Sequence, residues 1–188
     1  MKLIAMAGLA QTGKSTAATY MQEKYGFAAL ALAYPIKKLI ATLLDEDINW
    51  VEQNKHLVTP QMEKLAPGEN ITIRYLLQTL GTEWGRERIH PHIWINYLLR
   101  DLPWYEEQGS PGVVITDCRF NNEAEAFRKA GGLICHIRRP NTKLMRHISE
   151  AGVTPCEGDF VIYNNGTKQH IYDAIDNMLL GYSGGIDG

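Results

Sequence analysis

The sequence predicts an α/β fold with a roughly five-stranded parallel sheet between two layers of helices. Apolar runs suited to buried strands recur along the 188 residues, and segments with helical spacing stand between them. This alternation predicts parallel pairing, because parallel neighbours need a crossover connection. The first apolar run, residues 3–7, leads directly into a glycine-rich segment and a predicted helix at 15–25. Ligands of such sheets bind at the carboxyl ends of the strands.

The glycine-rich segment, residues 8–15, reads Gly-Leu-Ala-Gln-Thr-Gly-Lys-Ser and matches the P-loop pattern G-x-x-x-x-G-K-[ST]. Gly8 and Gly13 permit backbone angles that let successive N–H groups point inward, and the positive end of the following helix adds to this phosphate nest. Lys14 is expected to reach the β/γ-phosphates, and Ser15 to offer its hydroxyl to Mg²⁺. The motif thus predicts a three-layer P-loop NTPase fold and a nucleotide site formed by Gly8, Ala10, Gln11, Thr12, Gly13, Lys14, Ser15 and Thr16.

The other apolar and helical segments set the expected order of elements. Strands are predicted at 27–32, 113–116, 133–137 and 160–163, and helices at 37–44, 72–86, 92–102, 122–130, 142–151 and 170–180. Residues 45–71 are polar and broken by proline and glycine, which predicts an irregular excursion from the core. We expect one domain over 1–181 with a helical region at 45–104, a lid at 140–157 and a flexible tail at 182–188.

Composition narrows the class of protein. The net charge of −2 offers no broad footprint for DNA or RNA, so we expect no nucleic-acid polymer as a partner. Three cysteines without CxxC spacing indicate reduced thiols in a cytoplasmic protein. No stretch approaches the ~20 apolar residues of a membrane span, and the N-terminal apolar run is too short for a signal peptide.

Asp117 follows the apolar run 113–116, which is the pattern of a Walker B strand. At the carboxyl edge of the sheet its carboxylate would orient Mg²⁺, directly or through water. An apolar strand that ends in aspartate is common, so the P-loop is what gives this pattern weight. Arg119 follows two residues later, either as a phosphate contact or as a solvated loop charge.

The predicted helix at 72–86 is amphipathic. Its apolar side contains Ile73, Leu76, Leu77, Leu80 and Trp84, and we expect Trp84 to pack in the core. Arg74, Gln78 and Thr82 follow one another at four-residue spacing, with Arg86 a little further round. A solvated face usually alternates lysine and glutamate, so this set indicates a ligand groove in which arginine binds phosphate. A surface charge or salt bridge is the alternative for both arginines. Trp94 either stacks on a base or packs in the core.

Basic residues after the fourth predicted strand indicate a lid. Arg138, Arg139, Lys143 and Arg146 lie around the strand end and the helix at 142–151. In P-loop kinases a segment here closes over the phosphates and brings positive charge to the transferring group, and Arg146 is our first candidate. A solvated basic helix face is the alternative. The turn at 164–168 would bring Asn165 and Gly166 to the adenine of ATP, although an ordinary turn explains its composition equally well.

Taken together, these motifs resemble the bacteriophage-type deoxynucleoside monophosphate kinases of the P-loop nucleoside monophosphate kinase group. The discriminating stretch is Arg74-x-x-x-Gln78-x-x-Gly-Thr-Glu-x-Gly-Arg86. Further matches are the P-loop, Tyr34-Pro-Ile-Lys37, Ile93-Trp94, Thr116-Asp-x-Arg-Phe-x-Asn-Glu123, Arg138-Arg-Pro140 and Ile162-x-Asn-Asn-Gly166. They follow the family order over nearly the whole chain.

The resemblance implies transfer of the ATP γ-phosphate to a deoxynucleoside monophosphate with Mg²⁺ as cofactor. It implies an acceptor site within 45–104 and leaves a homodimer open. It implies Arg74, Gln78 and Arg86 in the acceptor site, Lys14 and Ser15 on the ATP–Mg²⁺ phosphates and Arg146 in the lid. Further acceptor candidates are Lys37, Thr82 and, in its base-stacking alternative, Trp94. Further candidates for the donor phosphates, the metal or charge stabilisation are Asp117, Arg119 and Arg138.

Two other classes remain open on the sequence. One is a kinase of another small phosphorylated acceptor, such as phosphomevalonate or dephospho-coenzyme A. The other is a non-catalytic nucleotide-sensing protein or GTPase-like switch. Against the switch, Asp117-Cys-Arg-Phe lacks the D-x-x-G motif, and no N-K-x-D guanine motif occurs. A P-loop motor is disfavoured by the short chain and mildly acidic charge.

Overall fold

The computed structural model describes residues 1–140 and 152–182. The chain divides into two compact units, residues 1–32 with 97–188 and residues 33–96. The first contains the sheet and the second is helical, and α6 (Ile93–Glu107) contributes residues to both. Within the described ranges, no helix has both the length and the apolar character needed to cross a bilayer.

The sheet of the first unit is parallel throughout, as the alternating pattern predicts. Over the described residues it consists of β1 (Lys2–Ala7), β2 (Ala28–Leu30), β3 (Gly112–Cys118), β4 (Leu133–Arg138) and β5 (Phe160–Tyr163). Their order is β2-β3-β1-β4-β5. Residues 3–7 of the central strand are fully buried, because both faces of a parallel sheet are covered. The predicted α/β fold with a five-stranded parallel sheet is confirmed.

The register between β1 and β3 is irregular at the carboxyl end. Ala5 pairs with Ile115 and Ala7 with Cys118, so β3 holds one more residue than β1 over this step. The third strand runs to Cys118, beyond the predicted end at 116, and Asp117 lies at the irregularity. Such irregularities can change the direction of a side chain, here that of Asp117 at the carboxyl end of β3.

Helices cover both faces of the sheet. Alternate residues Ile4 and Met6 of β1 belong to an apolar cluster with α1 (Lys14–Tyr25) and α8 (Lys168–Gly181). Successive strand residues point to opposite faces. The other set of β1 residues therefore faces α7 (Asn121–Lys129), which contacts β4 and β1.

Asp176 of α8 locks this helix to α1. Its carboxylate accepts hydrogen bonds from the hydroxyls of Tyr20 (2.9 Å) and Tyr25 (2.7 Å) and from the Lys24 ammonium (2.7 Å). These bonds, above all the one from Lys24, lower the pKa of Asp176. Tyr20 also stacks on Tyr172 with ring centroids 4.0 Å apart. The helix that follows the P-loop is thereby fixed along its second half.

The helical unit contains more regular structure than the sequence indicates. After α2 (Tyr34–Leu44) come α3 (Ile48–Asn54) and α4 (Pro60–Leu65), so the expectation that 45–71 is irregular is wrong. Asp47 and Thr59 cap these short helices by accepting bonds from the N–H groups of Trp50 and Met62. Pro60 does not break a helix, because it stands at the first helical position, where its missing N–H costs nothing.

The predicted continuous α-helix at 72–86 is also wrong. Its first part is α5 (Ile73–Gln78), and from Thr79 to Ile89 the chain forms a π-helix. A helix with i→i+5 bonds advances each residue by roughly 80° rather than 100°. The phase therefore slips between Thr79 and Trp84, which is 43% exposed and does not pack in the core.

Arg128 of α7, His136 of β4 and Asp159 form a buried polar cluster. The Asp159 carboxylate accepts two hydrogen bonds from the Arg128 guanidinium (2.8 and 2.6 Å) and one from the backbone N–H of Cys156 (2.9 Å). Its Oδ2 also lies 2.8 Å from His136 Nε2. Burial alone would raise the pKa of Asp159, but the bonds from Arg128, Cys156 and His136 outweigh it and the pKa is lowered. Asp159 therefore stabilises the fold in its ionised form.

We expect Asp159→Asn to lower the free energy of unfolding at pH 7 by about 3 kcal/mol, because Arg128 loses its buried counter-charge. Folding lowers the pKa of Asp159 below its unfolded value of about 4. The extra free energy of unfolding of the wild type is therefore fully present above that unfolded pKa, and it is lost as the pH falls through the lower pKa of the folded state. Urea unfolding followed by circular dichroism at several pH values measures this. Glu125→Gln, at an exposed ion pair with Lys129, is the control. Equal stability of Asp159→Asn and wild type at pH 7 would contradict the expectation.

Candidate phosphate-binding site

Residues 8–13 form the loop between β1 and α1, in the predicted strand–loop–helix context. Gly8 (φ 144°) and Gly13 (φ 113°) lie in backbone regions that side chains disfavour. A Cβ on Gly8 would be 2.4 Å from the carbonyl oxygen of Ile137 in β4. The loop thus approaches the neighbouring strand too closely for any residue larger than glycine.

Lys14 folds over the loop that precedes it. Its ammonium donates to the carbonyl oxygens of Gly8 (2.7 Å) and Leu9 (2.6 Å). The buried Thr12 hydroxyl donates to the Leu9 carbonyl (3.0 Å). Thr12 therefore supports the loop itself, while Lys14 places a positive charge above the N-terminus of α1.

Asn164, directly after the edge strand β5, braces the loop, a role that the sequence did not indicate. It follows β5 and is buried, and its side-chain amide donates to the Thr12 carbonyl at 2.7 Å. Its backbone N–H donates to the Arg138 carbonyl at 2.7 Å. A Cβ on Gly13 would lie 2.9 Å from the Asn164 amide nitrogen, so the glycine gives the brace its room.

A cavity of about 400 Å³ opens over this loop. Its walls are Gln11, Gly13, Lys14, Ser15, Thr16, Arg139, Asn164, Gly166, Thr167, Lys168 and Ile171. The structure therefore brings predicted P-loop residues together with predicted Gly166. Arg139 lines the cavity, whereas Arg138, the last residue of β4, and Asn165 are exposed next to lining residues in the chain. Two lysines, one arginine and a helix N-terminus make this cavity suited to polyphosphate.

Asp117 is tied to the end of β2. Its Oδ1 accepts a hydrogen bond from the Leu32 N–H (2.7 Å), and the neighbouring Thr116 hydroxyl donates to the Leu30 carbonyl (3.2 Å). Mg²⁺ is a hard cation that is bound in proteins by oxygen ligands. The carboxylate of Asp117 and the hydroxyl of Ser15 are therefore chemically suited to bind such an ion.

Glu123 holds the main chain around Arg119. It is buried in the first turn of α7, where its Oε2 accepts from the backbone N–H groups of Arg119 (2.7 Å) and Phe120 (3.1 Å). The Arg119 residue is exposed at the carboxyl edge of the sheet. Its position therefore depends on a buried glutamate for which the sequence indicated no role beyond its place in the family motif.

The predicted acceptor residues all belong to the helical unit, on α2, α5, the π-helix and the start of α6. Lys37 pairs with Glu52 at 3.0 Å, and that carboxylate also contacts Lys55. Arg74 and Arg86 are half-buried and Thr82 is buried. Trp94 is only 7% exposed, and its indole N–H donates to the Gly81 carbonyl at 2.8 Å, so the structure favours packing over stacking on a base. Arg146 and most of the predicted lid lie outside the described residues.

A family model described as deoxynucleotide monophosphate kinase matches residues 2–66 and 44–175. The chain belongs to this family. The resemblance seen in the P-loop and in Arg74–Arg86 is thus confirmed over nearly the whole chain.

Individual members of the deoxynucleotide monophosphate kinase family are similar over much of the chain. A putative deoxynucleotide monophosphate kinase of Acanthamoeba polyphaga mimivirus is 30% identical over 93% of this chain and 94% of its own length. The deoxynucleoside-5'-monophosphate kinase of Escherichia phage T5 is 41% identical over 58% of this chain and 44% of its own. The fold is similar to a dephospho-CoA kinase from Campylobacter jejuni, with a TM-score of 0.50 at 13% identity over 96% of both chains. At that identity the likeness concerns the fold alone.

We expect Asn164→Ala to weaken ATP binding about tenfold, since a buried Thr12 carbonyl without its donor costs on the order of 1–3 kcal/mol and releases the loop. Isothermal titration calorimetry with ATP measures the effect. Asn177→Ala, on an exposed position of α8, is the control. A dissociation constant within twofold of wild type would show that the loop does not need the brace.

Proposed function

We propose that the chain transfers the γ-phosphoryl group of ATP to the 5'-phosphate of a deoxynucleoside monophosphate, which yields ADP and a deoxynucleoside diphosphate. The observation that supports it most is the braced P-loop beneath a basic cavity in a chain of this family. In the reaction an acceptor phosphate oxygen bonds to the γ-phosphorus. The bond to the β–γ bridging oxygen breaks, and its electron pair leaves with ADP.

The donor phosphates are proposed to lie in the loop at residues 8–15. Lys14 would exchange the Gly8 and Leu9 carbonyls for phosphate oxygens, which places its charge where negative charge shifts during transfer. Ser15 and Asp117 would hold Mg²⁺, which when bound neutralises the phosphate oxygens. Arg139, Gly166 and the neighbouring turn would contact the remainder of ATP, with Asn165 and Arg138 at the margin.

The acceptor monophosphate is proposed to lie against the helical unit. Arg74 and Arg86 are suited to it, because a guanidinium donates two parallel hydrogen bonds to one phosphate. Gln78 and Thr82 add neutral hydrogen-bonding groups, and Lys37 adds a charge already ordered by Glu52. A phosphate oxygen is a nucleophile without further deprotonation, so positioning and charge carry the catalysis. Arg119 and Arg146 are proposed to contribute charge to the transfer step.

Free nucleotides are therefore the proposed partners, in the cytoplasm of the cell in which the protein acts. The proposed organisation is a single kinase domain whose helical region binds the acceptor. A homodimer stays a prediction.

The decisive experiment incubates the protein with ATP, Mg²⁺ and each dNMP or NMP separately and follows ADP. ADP that forms only with particular deoxynucleotides supports the proposal and defines the accepted bases. No acceptor-dependent ADP with any nucleotide would overturn it. Dephospho-coenzyme A and phosphomevalonate serve as acceptors from the competing class of kinases.

We expect Lys14→Ala to lower kcat by about 10²–10³-fold with the fold intact, because it removes a charge directed at the transferring group. Steady-state kinetics and circular dichroism check both parts. Lys129→Ala removes an exposed lysine of α7 and should leave kcat unchanged. Normal turnover by Lys14→Ala would contradict the assignment of the donor site.

We expect Arg74→Ala to raise the KM for the deoxynucleotide at least tenfold while the KM for ATP changes less than twofold, since a guanidinium–phosphate pair contributes roughly 1.5–3 kcal/mol. Initial rates with each substrate varied in turn measure the two constants. Arg100→Ala, at an exposed ion pair with Asp101, is the control. A change confined to the KM for ATP would move Arg74 to the other half of the site.

A further inference from the structure

The π-helix leaves room for one aromatic ring at Gly85. Gly81 and Gly85 are both buried and stand four residues apart, so they share one side of the helix. The indole of Trp94 packs on Gly85, where a Cβ would lie 2.5 Å from its six-membered ring and 2.8 Å from its nitrogen, whereas a Cβ on Gly81 would lie 3.1 Å from Ile36. The indole N–H donates to the Gly81 carbonyl at 2.8 Å. Ring and hydrogen bond together attach α6 to the π-helix at both glycines.

An eleven-residue π-helix needs such support. The i→i+5 geometry is rare and occurs mostly as single turns, often at functional sites. Here it extends from Thr79 to Ile89 and ends with the His90 N–H donating to the Gly85 carbonyl at 3.0 Å. Glycine is a poor α-helix former, so Gly81 and Gly85 also weaken the competing α-helix. The buried hydrogen bond from Trp94 favours the observed form.

The helical form decides where the acceptor side chains point. Thr82 and Arg86 directly follow the two glycines, so they share the adjacent side of the π-helix. From Gln78 to Arg86, a difference of roughly 20° per residue adds up to roughly 150° between the α and π forms. A return to α-helix would therefore turn Arg86 away from its present side while Arg74, on α5, stays in place.

We propose that Trp94 is a positioning residue for the acceptor monophosphate, because it holds the π-helix that directs Thr82 and Arg86. This inference rests on the proposed function of the same site. Trp94 acts through the helix and not by contact with a base, since it is buried, its ring packs on Gly85 and its N–H is bonded to the Gly81 carbonyl. A purely structural tryptophan would affect stability, or both substrates equally.

The test is Trp94→Phe, which keeps an aromatic ring and removes the N–H donor. The KM for the deoxynucleotide should rise at least fivefold, with the KM for ATP within twofold of wild type. Trp104→Phe is the matched control, since it makes the same change at an exposed position of the same helix and should alter neither constant. Unchanged constants in Trp94→Phe, or an equal rise in both, would overturn the positioning role.

Gly85→Ala provides a second route that leaves Trp94 itself intact. Its new Cβ would collide with the indole, so it should produce the same selective rise in the acceptor KM. Amide hydrogen exchange at residues 86–90 should be faster in both variants than in wild type, because these N–H groups close the π-helical bonds. Protection at the wild-type level would overturn the inference. The activity of the wild type in the same assay distinguishes the two proposals. If the wild type forms no ADP with any deoxynucleotide, both the proposed function and the role of Trp94 are refuted. If the wild type is active but the variants show no selective rise in the KM for the deoxynucleotide, only the role of Trp94 is refuted.

Discussion

A single buried hydrogen bond, from the Asn164 amide to the Thr12 carbonyl, joins the end of β5 to the loop after β1. Glycines with positive φ stand at both ends of the loop, so backbone preference alone does not determine its path. With the carbonyl of Thr12 held, Gly13 and the first turn of α1 line the cavity, and Lys14 closes over Gly8 and Leu9. The candidate phosphate site is thus built from segments that follow two strands, β1 and β5.

The support behind the loop is also electrostatic. Asp176 gathers two tyrosines and Lys24 at the far end of α1, and Glu123 fixes the backbone that carries Arg119. Asp176 thus orders a helix whose first turn lines the cavity, and Glu123 orders the backbone that follows β3. Both carboxylates are separate from Lys14, Arg139 and Lys168, the basic residues that line the cavity.

The sequence was sufficient for the sheet, its parallel strands and the P-loop, because these follow from apolar runs and from a motif with fixed spacing. The sequence was insufficient where the role of a residue depends on its burial and packing in the folded chain. Asn164 and Asn165 are the same residue type in one turn, and only burial separates the brace from its exposed neighbour. The prediction that Trp84 packs in the core assumed the α-helical period, whereas residues 79–89 form a π-helix on which Trp94 packs at Gly85. The polar residues and prolines of 45–71 indicated an irregular segment, although Asp47 and Thr59 cap helices and Pro60 begins one.

The brace between Asn164 and Thr12 spans 152 positions of the chain. During synthesis the P-loop motif emerges early, but its partner arrives only after β5 has been made and added to the sheet. Contacts of such separation form late, because the intervening chain must first be ordered. A nascent chain that stops before β5 therefore has the complete motif and no finished site. Nucleotide binding should therefore indicate that the whole sheet has folded, and not merely that the P-loop motif near the start of the chain has been made.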